Sequence, residues 1–318
     1  MRAPGFWTKP GLIPALLRPF GRIWAWAGGR RQSRTRSWRA PVPVICIGNL
    51  VMGGAGKTPV AISLAHRLKA RGFQPHLVSR GYGGRLSGPL RVDPSRHTAR
   101  DVGDEPLLLA QAAPAWIARD RKAGILAAIA AGADLILLDD GFQNPAIAKD
   151  ISFVVIDGGY GFGNGEVFPA GPLRETPKSG LARADAVVIL GDGLETPKLP
   201  SGLPRLNARL AVTRAPPLNG RKVLAFAGIG RPEKFYATLA ELGAVIVERR
   251  DFPDHHPYRA AEIRSLLEVA ETAGALPVTT AKDWVRLPPD LASRIAKVEI
   301  AVEWADEAAL DRLLPLRD

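Results

Sequence analysis

The sequence predicts an α/β fold in which a lobe built on a parallel sheet is followed by a second, smaller α/β lobe. From residue 41 onward, short apolar runs alternate with segments of helical period, which is the pattern of strands and helices stacked in layers. A glycine-rich turn joins the first of these strands to the first helix. The length of 318 residues also favours two domains over one compact core.

The predicted strands are apolar runs bounded by turn residues, and the predicted helices carry an apolar face. The strands cover residues 42–47, 74–79, 135–140, 152–157, 186–190, 223–227, 245–247, 277–280 and 298–302. The helices cover residues 57–71, 107–111, 122–131, 232–242, 260–273 and 307–314. A glycine- and proline-rich segment, 158–183, contains the predicted junction, so the chain divides into 1–40, 41–160 and 161–318.

Basic residues are concentrated near the start of the chain. The sequence has 43 Lys and Arg against 31 Asp and Glu, yet residues 1–92 contain 16 basic residues and no acidic one. Residues 93–318 carry the remaining 27 basic residues together with all 31 acidic ones. This distribution predicts an anionic partner near the N-terminus: a phosphate, a nucleic acid or acidic lipid headgroups.

Cysteine content and hydropathy indicate a reducing compartment. The single cysteine, Cys46, cannot close an intrachain disulfide. No apolar run reaches the ~18 residues that a membrane-spanning helix requires. We therefore expect a cytoplasmic chain with room for attachment to a membrane surface.

Residues 1–40 combine nine basic residues with four of the seven tryptophans. Seven large apolar residues fall on one side of a helical projection: Leu12, Ile13, Leu16, Leu17, Phe20, Ile23 and Trp24. Arg18 and Arg22 fall on the opposite side, which is typical of a helix lying in a membrane interface. Pro14 and Pro19 weaken the helix prediction. The alternative is an amphipathic helix docked on the protein's own core.

The strongest motif is a phosphate loop between the first strand and the helix from residue 57. Its glycines let backbone N–H groups curl around phosphate oxygens, Lys57 can reach the terminal phosphates, and the Thr58 hydroxyl can ligate Mg²⁺. The first lobe is therefore predicted to be P-loop NTPase-like. A simple glycine-rich turn is the alternative. The predicted nucleotide-binding residues are Val51, Met52, Gly53, Gly54, Ala55, Gly56, Lys57 and Thr58.

Two departures within this loop narrow the nucleotide-binding class. Val51 stands where the usual pattern has its leading glycine, and Met52 stands where partition-type ATPases carry an extra lysine. The chain also lacks the Lys-x-Asp signature of guanine recognition. The absence of the extra lysine counts against a partition ATPase, and the absence of Lys-x-Asp counts against a switch-type GTPase.

Acidic residues at two places are candidates for metal binding and catalysis. Asp139 and Asp140 end an apolar strand, where Mg²⁺ is commonly held beside a phosphate loop; a turn or helix cap is the alternative. Asp104 precedes a short apolar helix and is either a helix cap or the base that takes a proton from an acceptor hydroxyl. His255 and His256 share a loop, where a histidine is either inert or tunes such a base.

Three further residues are weaker candidates for substrate binding. Arg80 leaves a strand and could clamp a phosphate, or it could be a solvated turn residue. Arg174 and Glu175 follow a rigid Pro-Ala-Gly-Pro loop and could line a cleft. The segment 279–283 ends a strand and begins a helix, which is the pattern of a simple cap.

Taken together, these segments resemble the tetraacyldisaccharide 4′-kinase family of the lipid A pathway in Gram-negative bacteria. The family's loop also lacks the leading glycine, so Val51 agrees with its pattern. Asn144 and Ala281 depart from it, since the family often has His and Glu there, and no role at either position carries over. The matching motifs are residues 48–50 with 53–59, 79–83, 103–106, 139–143, 169–175, 252–257 and 279–287.

The resemblance implies an ATP- and Mg²⁺-dependent kinase that phosphorylates the 4′-hydroxyl of a tetraacylated glucosamine disaccharide 1-phosphate. It implies that Asp104 is the base and that His255, rather than His256, is its partner, with Lys57 acting on the triphosphate. The family's fold is two α/β lobes joined by a hinge, with the active site between them. Its C-terminal helix returns toward the first lobe.

The expected partners are the acylated disaccharide and an anionic membrane surface, with no nucleic acid among them. The resemblance implies peripheral association with the cytoplasmic face of the inner membrane. A substrate with four acyl chains sits in a bilayer, and cations near anionic lipid contribute about 1 kcal/mol each. The alternative function is a membrane-associated P-loop nucleotide switch or chaperone that hydrolyses ATP or GTP without a sugar acceptor.

Overall fold

A computed structural model describes residues 4–191, 193 and 199–316. Its strands are β1 (Val44–Gly48), β2 (Pro75–Ser79), β3 (Leu90–Arg91), β4 (Ala115–Ile117), β5 (Leu135–Asp139), β6 (Ile151–Asp157), β7 (Ala186–Leu190), β8 (Arg205–Arg214), β9 (Lys222–Ala227), β10 (Val245–Asp251), β11 (Leu276–Thr280) and β12 (Ala296–Trp304). Its helices are α1 (Leu12–Arg34), α2 (Lys57–Ala70), α3 (Ala99–Val102), α4 (Asp104–Leu109), α5 (Arg121–Ala130), α6 (Pro177–Leu181), α7 (Pro232–Glu241), α8 (Ala260–Thr272), α9 (Ala281–Trp284), α10 (Pro289–Ala292) and α11 (Glu307–Leu313).

The strands form one sheet in the order β10-β9-β11-β12-β8-β7-β6-β1-β5-β2-β4-β3. Neighbours are parallel except for the β3–β4 and β8–β12 pairs, so the predicted α/β fold with a mostly parallel sheet is confirmed. β1 lies between β5 and β6. The phosphate loop therefore leaves the middle of the sheet, flanked by the carboxyl ends of two buried strands.

Both faces of the sheet around β1 are covered, which explains why its strands are mostly apolar. Ile45 and Ile47 pack with α2 on one face, while Val44 and Cys46 pack with α5 on the other. Because successive side chains alternate between faces, a strand buried on both sides needs a continuous apolar run. Every residue of the strands β1, β2, β5 and β7 is buried.

The positions of β7 and β8 bear on the boundary predicted at residue 160, which stays a prediction. β7 pairs in parallel register with β6, and β8 pairs with β7, so both extend the sheet of the first lobe. Five consecutive buried apolar residues in β7 are covered only inside a sheet. A separate apolar cluster begins with Leu218 and the strand β9. We propose that the junction of the lobes lies at residues 215–221, between β8 and β9.

The C-terminal helix α11 packs on α2, the helix that follows the phosphate loop. Leu310 is fully buried in the cluster that contains Leu64 and Leu68 of α2. Arg67 donates two hydrogen bonds to Asp311, at 2.5 and 2.6 Å, and Arg71 pairs with the same carboxylate. These contacts place the end of the chain against the first lobe.

Helix α1 presents an unpartnered apolar face. Leu16, Phe20 and Ile23 are 66%, 60% and 62% exposed, so the alternative of a helix docked through these residues on the protein's core is wrong. Pro19 lies inside the helix, where a proline removes one backbone hydrogen bond and crowds the carbonyl of the preceding turn, so the helix forms in spite of it. None of the helices among the described residues is long and apolar enough to cross a membrane.

The opposite side of α1 attaches to the loop 166–174. Gly21 packs against the Val167 carbonyl, where a Cβ atom would approach to 2.7 Å. The Trp24 indole donates to the Arg174 carbonyl at 3.1 Å. Arg18, predicted on the side of the helix opposite the apolar face and at the level of the lipid phosphates, pairs with Glu166 at 2.8 Å and so anchors the helix to the protein instead.

Candidate active site

The phosphate loop has the backbone that its glycines were expected to provide. Gly53 has φ 110° and Gly56 has φ 83°, both in the region that favours glycine. A side chain on Gly56 would place its Cβ 2.2 Å from Leu190 Cδ2 of the neighbouring strand β7. Gly56 is also the N-cap of α2, so the N–H groups of the first helical turn point into the loop.

The entrance of the loop is held by the segment before Arg174. Met52 donates its backbone N–H to the Pro172 carbonyl at 2.7 Å, and Val51 forms a bridge with Leu173. The Met52 amide is therefore already hydrogen-bonded within the protein and is not available to donate to an anion in the loop. Of the predicted nucleotide-binding residues, 53–58 are the ones that leave their groups open to an anion.

Lys57 and Asp140 form the charged rim of the loop. The Lys57 side chain is 9% exposed, and its Nζ lies 3.6 Å from Asp140 Oδ1. Arg174 donates to both oxygens of the same carboxylate, at 2.9 and 3.3 Å. Burial would raise the pKa of Asp140, but the charges of Lys57 and Arg174 outweigh it and lower the pKa. Asp140 therefore stays ionised and doubly paired.

Asp139 has the opposite environment, although it is the next residue. It is fully buried, and neither of its carboxylate oxygens has a hydrogen-bond partner among the described residues. Burial, with the negative charges of Glu105 and Asp140, raises the pKa of Asp139. A buried carboxylate without a partner is a destabilising group unless a cation binds it.

These groups fit Mg²⁺, which prefers oxygen ligands and one or two carboxylates beside substrate phosphates. Asp139 offers two free oxygens, and the buried Thr58 hydroxyl lies at the start of α2. Asp140 is already paired with Lys57 and Arg174. Asp139 and Thr58 are thus better placed than Asp140 to hold the ion directly.

Replacement of Asp139 by Asn is expected to stabilise the metal-free protein while abolishing activity. Because the folded-state pKa is raised, the ionised carboxyl costs stability at every pH above its ordinary value, and Asn removes that cost. Each kcal/mol gained should raise the Tm by about 2–4 °C. Thermal melts at pH 8 with EDTA and with Mg²⁺ measure this: Mg²⁺ should raise the Tm of the wild type only. A variant that melts lower without Mg²⁺ would contradict the assignment.

The second half of the site is a carboxylate–imidazole pair formed by residues 151 positions apart. His255 Nδ1 lies 3.0 and 2.9 Å from the two oxygens of Asp104. Asp104 is the first residue of α4, and the N-cap is Gly103, so the prediction of Asp104 as a simple cap is wrong. His255 has φ 59°, an uncommon backbone for a non-glycine residue that places its ring against Asp104.

The Asp104 carboxylate is buried but remains ionised. Its side chain is 3% exposed. Burial would raise the pKa, but the hydrogen bond from His255 and the charges of Lys282 and Arg286 outweigh it and lower the pKa to about 2. Asp104 is therefore ionised at neutral pH.

Sequence reasoning missed three charged residues that complete this half of the site. Lys282 Nζ lies 3.3 Å from His255 Nε2 and 3.3 Å from Glu105 Oε1. Arg286, whose side chain is 4% exposed, lies 3.5 Å from Asp104 Oδ2. Thr280 does cap α9 as predicted, but the two basic residues that follow it face the site. The signal was the clustering of charge in 279–287, a segment that matched the family's motifs but whose residues were interpreted only as a helix start.

The other candidates separate into paired and unpaired residues. Glu175 accepts two hydrogen bonds from Arg183, at 2.7 and 2.8 Å, and His256 contacts Glu262 at 3.2 Å. Glu175 and His256 thus hold their own loops. Arg80 is exposed at the carboxyl end of β2, and no described residue pairs with it. Arg80 is therefore the predicted phosphate-binding residue that is still free to bind one.

Comparison with known proteins gives matches over the whole chain. Residues 13–316 match the family described as tetraacyldisaccharide-1-P 4′-kinase. A tetraacyldisaccharide 4′-kinase of Rhodospirillum centenum is 58% identical over 323 residues, covering 99% of this chain and 96% of the relative. One from Rhodospirillum rubrum is 52% identical, covering 99% of this chain and 98% of the relative.

A solved structure agrees with these relatives. The crystal structure of "apo" form LpxK from Aquifex aeolicus in complex with ATP superposes with a TM-score of 0.77 at 27% identity. The match covers 95% of this chain and 98% of that one. The likeness therefore extends to both the sheet around the phosphate loop and the C-terminal part of the chain.

Proposed function

The chain belongs to the tetraacyldisaccharide-1-P 4′-kinase family, and we propose that its phosphate loop and its Asp104–His255 pair are the two halves of the kinase site. It is an ATP-dependent kinase that phosphorylates the 4′-hydroxyl of tetraacyldisaccharide 1-phosphate in lipid A biosynthesis. The observation that carries the assignment of residues is the 2.9 Å contact between Asp104 and His255.

The first half binds the triphosphate. The N–H groups of residues 53–58 surround the phosphates, and Lys57 supplies the positive charge for the terminal groups. Mg²⁺, when bound by Asp139 and Thr58, supplies neutralising charge to the phosphate oxygens. Arg174 keeps Asp140 next to Lys57 and so fixes the direction of the lysine.

The second half activates the acceptor. The ionised Asp104 takes the proton of the 4′-hydroxyl while the hydroxyl oxygen of the sugar bonds to the γ-phosphorus. The bond from that phosphorus to the β–γ bridging oxygen breaks. The electron pair of that bond leaves with ADP. Positioning and charge neutralisation contribute most of the acceleration in such a transfer. Arg80, unpaired beside the cleft, is the proposed ligand of a substrate phosphate.

An acceptor-dependence assay tests this function. Purified protein is incubated with ATP, Mg²⁺ and the acylated disaccharide 1-phosphate in detergent micelles, and the lipid is analysed by mass spectrometry. We expect a lipid heavier by one phosphate and ATP consumption that depends on the lipid. Equal ATP consumption with and without lipid, and no phosphorylated product, would instead favour the nucleotide switch or chaperone.

Helix α1 is the proposed contact with the membrane, from the cytoplasmic side of the inner membrane. Its apolar side chains project into solvent while its other side is anchored by Gly21 and Trp24. The same helix carries exposed cations, including Arg22 and Arg30. An apolar face flanked by cations and tryptophans is suited to an anionic bilayer surface.

Replacement of Leu12, Leu16, Phe20 and Ile23 by Ser is expected to weaken vesicle binding at least tenfold. Burial of each such side chain contributes about 1.5 kcal/mol or more, and about 1.4 kcal/mol corresponds to a factor of ten. Flotation with anionic phospholipid vesicles measures the bound fraction. The matched control replaces Leu210 and Ile300, which are 39% and 42% exposed on β8 and β12. Equal binding by the two variants would exclude α1 as the contact.

A further inference from the structure

We propose that Lys282 is a positioning residue of this kinase, which holds His255 as a neutral imidazole with its proton on Nδ1, directed at Asp104. This inference rests on the proposed function, in which Asp104 takes the acceptor proton. Lys282 itself contacts the partner of the base and not the reacting atoms, so its effect is transmitted through His255.

The surroundings of Lys282 keep it charged. Its Nζ lies 3.3 Å from Glu105 Oε1 and 4.0 Å from Asp254 Oδ1. Burial would lower the pKa of Lys282, but the negative charges of Glu105, Asp104 and Asp254 outweigh it and raise the pKa. An ammonium group has three N–H donors and no lone pair.

The direction of the hydrogen bonds around His255 follows from this charge. Because Lys282 can only donate, the contact of 3.3 Å requires His255 Nε2 to accept, and a ring nitrogen that accepts carries no proton. The proton of the neutral ring must then be on Nδ1, which lies 2.9 Å from Asp104. Lys282 on one side and Asp104 on the other thus select one tautomer.

The position of Lys282 is itself fixed by a buried network beneath it. The next residue, Asp283, is fully buried and accepts hydrogen bonds from Tyr258 at 2.6 Å, from Arg286 at 2.6 Å and from the Gly228 backbone at 2.8 Å. Arg286 also donates to the His256 carbonyl at 3.2 Å. These bonds tie α9 to the loop that carries His255.

The consequence for the reaction is a division of roles within the pair. With both ring nitrogens engaged, His255 has no free lone pair for the acceptor proton, so Asp104 alone accepts it. Glu105 connects the two halves, because it anchors Lys282 and its charge also acts on Asp139. Without Lys282, nothing opposes a proton on Nε2, so the ring is free to become a doubly protonated imidazolium while Nδ1 still donates to Asp104.

The test combines kinetics with the tautomer of His255. Lys282 is replaced by Met, which keeps the length but removes the donors, and by Arg, which keeps charge and donors. The control is Lys297→Met, because Lys297 also pairs with a glutamate, at 2.6 Å, and packs on the Trp284 ring of α9, at 4.7 Å, but lies on β12 away from His255. The ring nitrogens are observed by long-range ¹H–¹⁵N NMR of histidine-labelled protein, with His255 assigned through His255→Gln.

For the wild type, we expect a protonated Nδ1 and an unprotonated Nε2 in His255. In Lys282→Met, the Nε2 resonance should move toward the protonated region, and kcat should fall about 10- to 100-fold, as when a histidine ligand loses its outer partner. The KM for ATP should stay unchanged. Lys282→Arg should restore the wild-type resonances and most of kcat, and Lys297→Met should alter neither.

Two results would overturn the proposal: an unchanged Nε2 resonance in folded Lys282→Met protein, or an arginine variant as impaired as the methionine variant. A loss of structure in Lys282→Met would appear in all five histidines, and the arginine variant would then decide. The NMR measurement needs no lipid. A wild type that shows this tautomer but forms no phosphorylated lipid would refute the kinase function and not the positioning of His255.

Discussion

Replacement of Lys57 by Ala is expected to lower kcat by at least about 10²–10³-fold, the effect of removing one charge-stabilising donor from a preorganised site. Lys57 is the buried cation of the phosphate loop, and its Nζ lies 3.6 Å from Asp140 Oδ1. Without it, the developing charge on the transferred group loses its main protein partner. The affinity for ATP should also fall, because the loop amides alone must hold the triphosphate.

The fold should tolerate this change, since Asp140 keeps both hydrogen bonds to Arg174. The matched control is Lys69→Ala on the same helix, because Lys69 bonds only to the Ala112 carbonyl, at 3.1 Å, at the far end of α2. Turnover is measured with saturating lipid in micelles, and nucleotide binding by calorimetry. If Lys57→Ala retained the turnover of Lys69→Ala, the phosphate loop would not be the site of transfer.

The central strands were predictable because burial on both faces forces a continuous apolar run. The prediction of 186–190 matches β7, and those of 135–140 and 152–157 match β5 and β6 within a residue. β8 was missed because it is a mostly exposed strand with charged residues at its ends and middle, which resembles a loop in composition. Its pairing with β7 and β12 is what makes it a strand, and the pairing with β12 in particular joins residues far apart in the chain.

The site was predictable only in its local parts. A strand, a glycine-rich turn and a helix identify the phosphate loop from adjacent residues. No local pattern brings Asp104 and His255 together, and the expectation of their pairing came from the resemblance to a family. Lys282 and Arg286 carried no such expectation, and their interaction with this pair depends on how α9 packs.

The difference between Asp139 and Asp140 shows the same limit. Two adjacent acids at the end of an apolar strand look equivalent in a sequence. In the structure, Asp139 belongs to the strand, whose side chains alternate between the faces of the sheet, and Asp140 belongs to the turn that follows. Asp139 is the last residue of β5, where it pairs with Ile47 of β1, and it points into the buried end of the sheet. Asp140, with φ 54°, turns toward Lys57 and Arg174. Burial and pairing, not residue type, separate the proposed metal ligand Asp139 from Asp140, which is paired within the protein.

Replacement of Asp104 by Asn should lower kcat about 10²–10⁴-fold, the range for loss of a positioned base. An amide of the same shape keeps the position but cannot take the proton of the 4′-hydroxyl. The KM for ATP should change little, because the residue lies outside the phosphate loop. The matched control is Asp101→Asn, whose carboxylate also has a pKa lowered to about 2, by hydrogen bonds from Thr98.

Asp104→Asn also loses a charge that contributes stability. Its depressed pKa means that this contribution is present above the ordinary value for aspartate and is lost only as pH falls toward about 2. A modest fall in Tm at neutral pH is therefore expected, and kcat must be expressed per folded molecule. Turnover by Asp104→Asn equal to that of Asp101→Asn would show that Asp104 is not the base.

His255→Gln completes a double-mutant cycle that separates a base from a general effect of charge. If His255 acts through Asp104, the double variant should be no slower than Asp104→Asn alone, because residues that act as a unit are not additive. His256→Gln is the control for the loop, since its ring contacts Glu262 and not Asp104. Additive losses in kcat would mean that His255 contributes independently of Asp104, and the 2.9 Å contact would then not be the catalytic link.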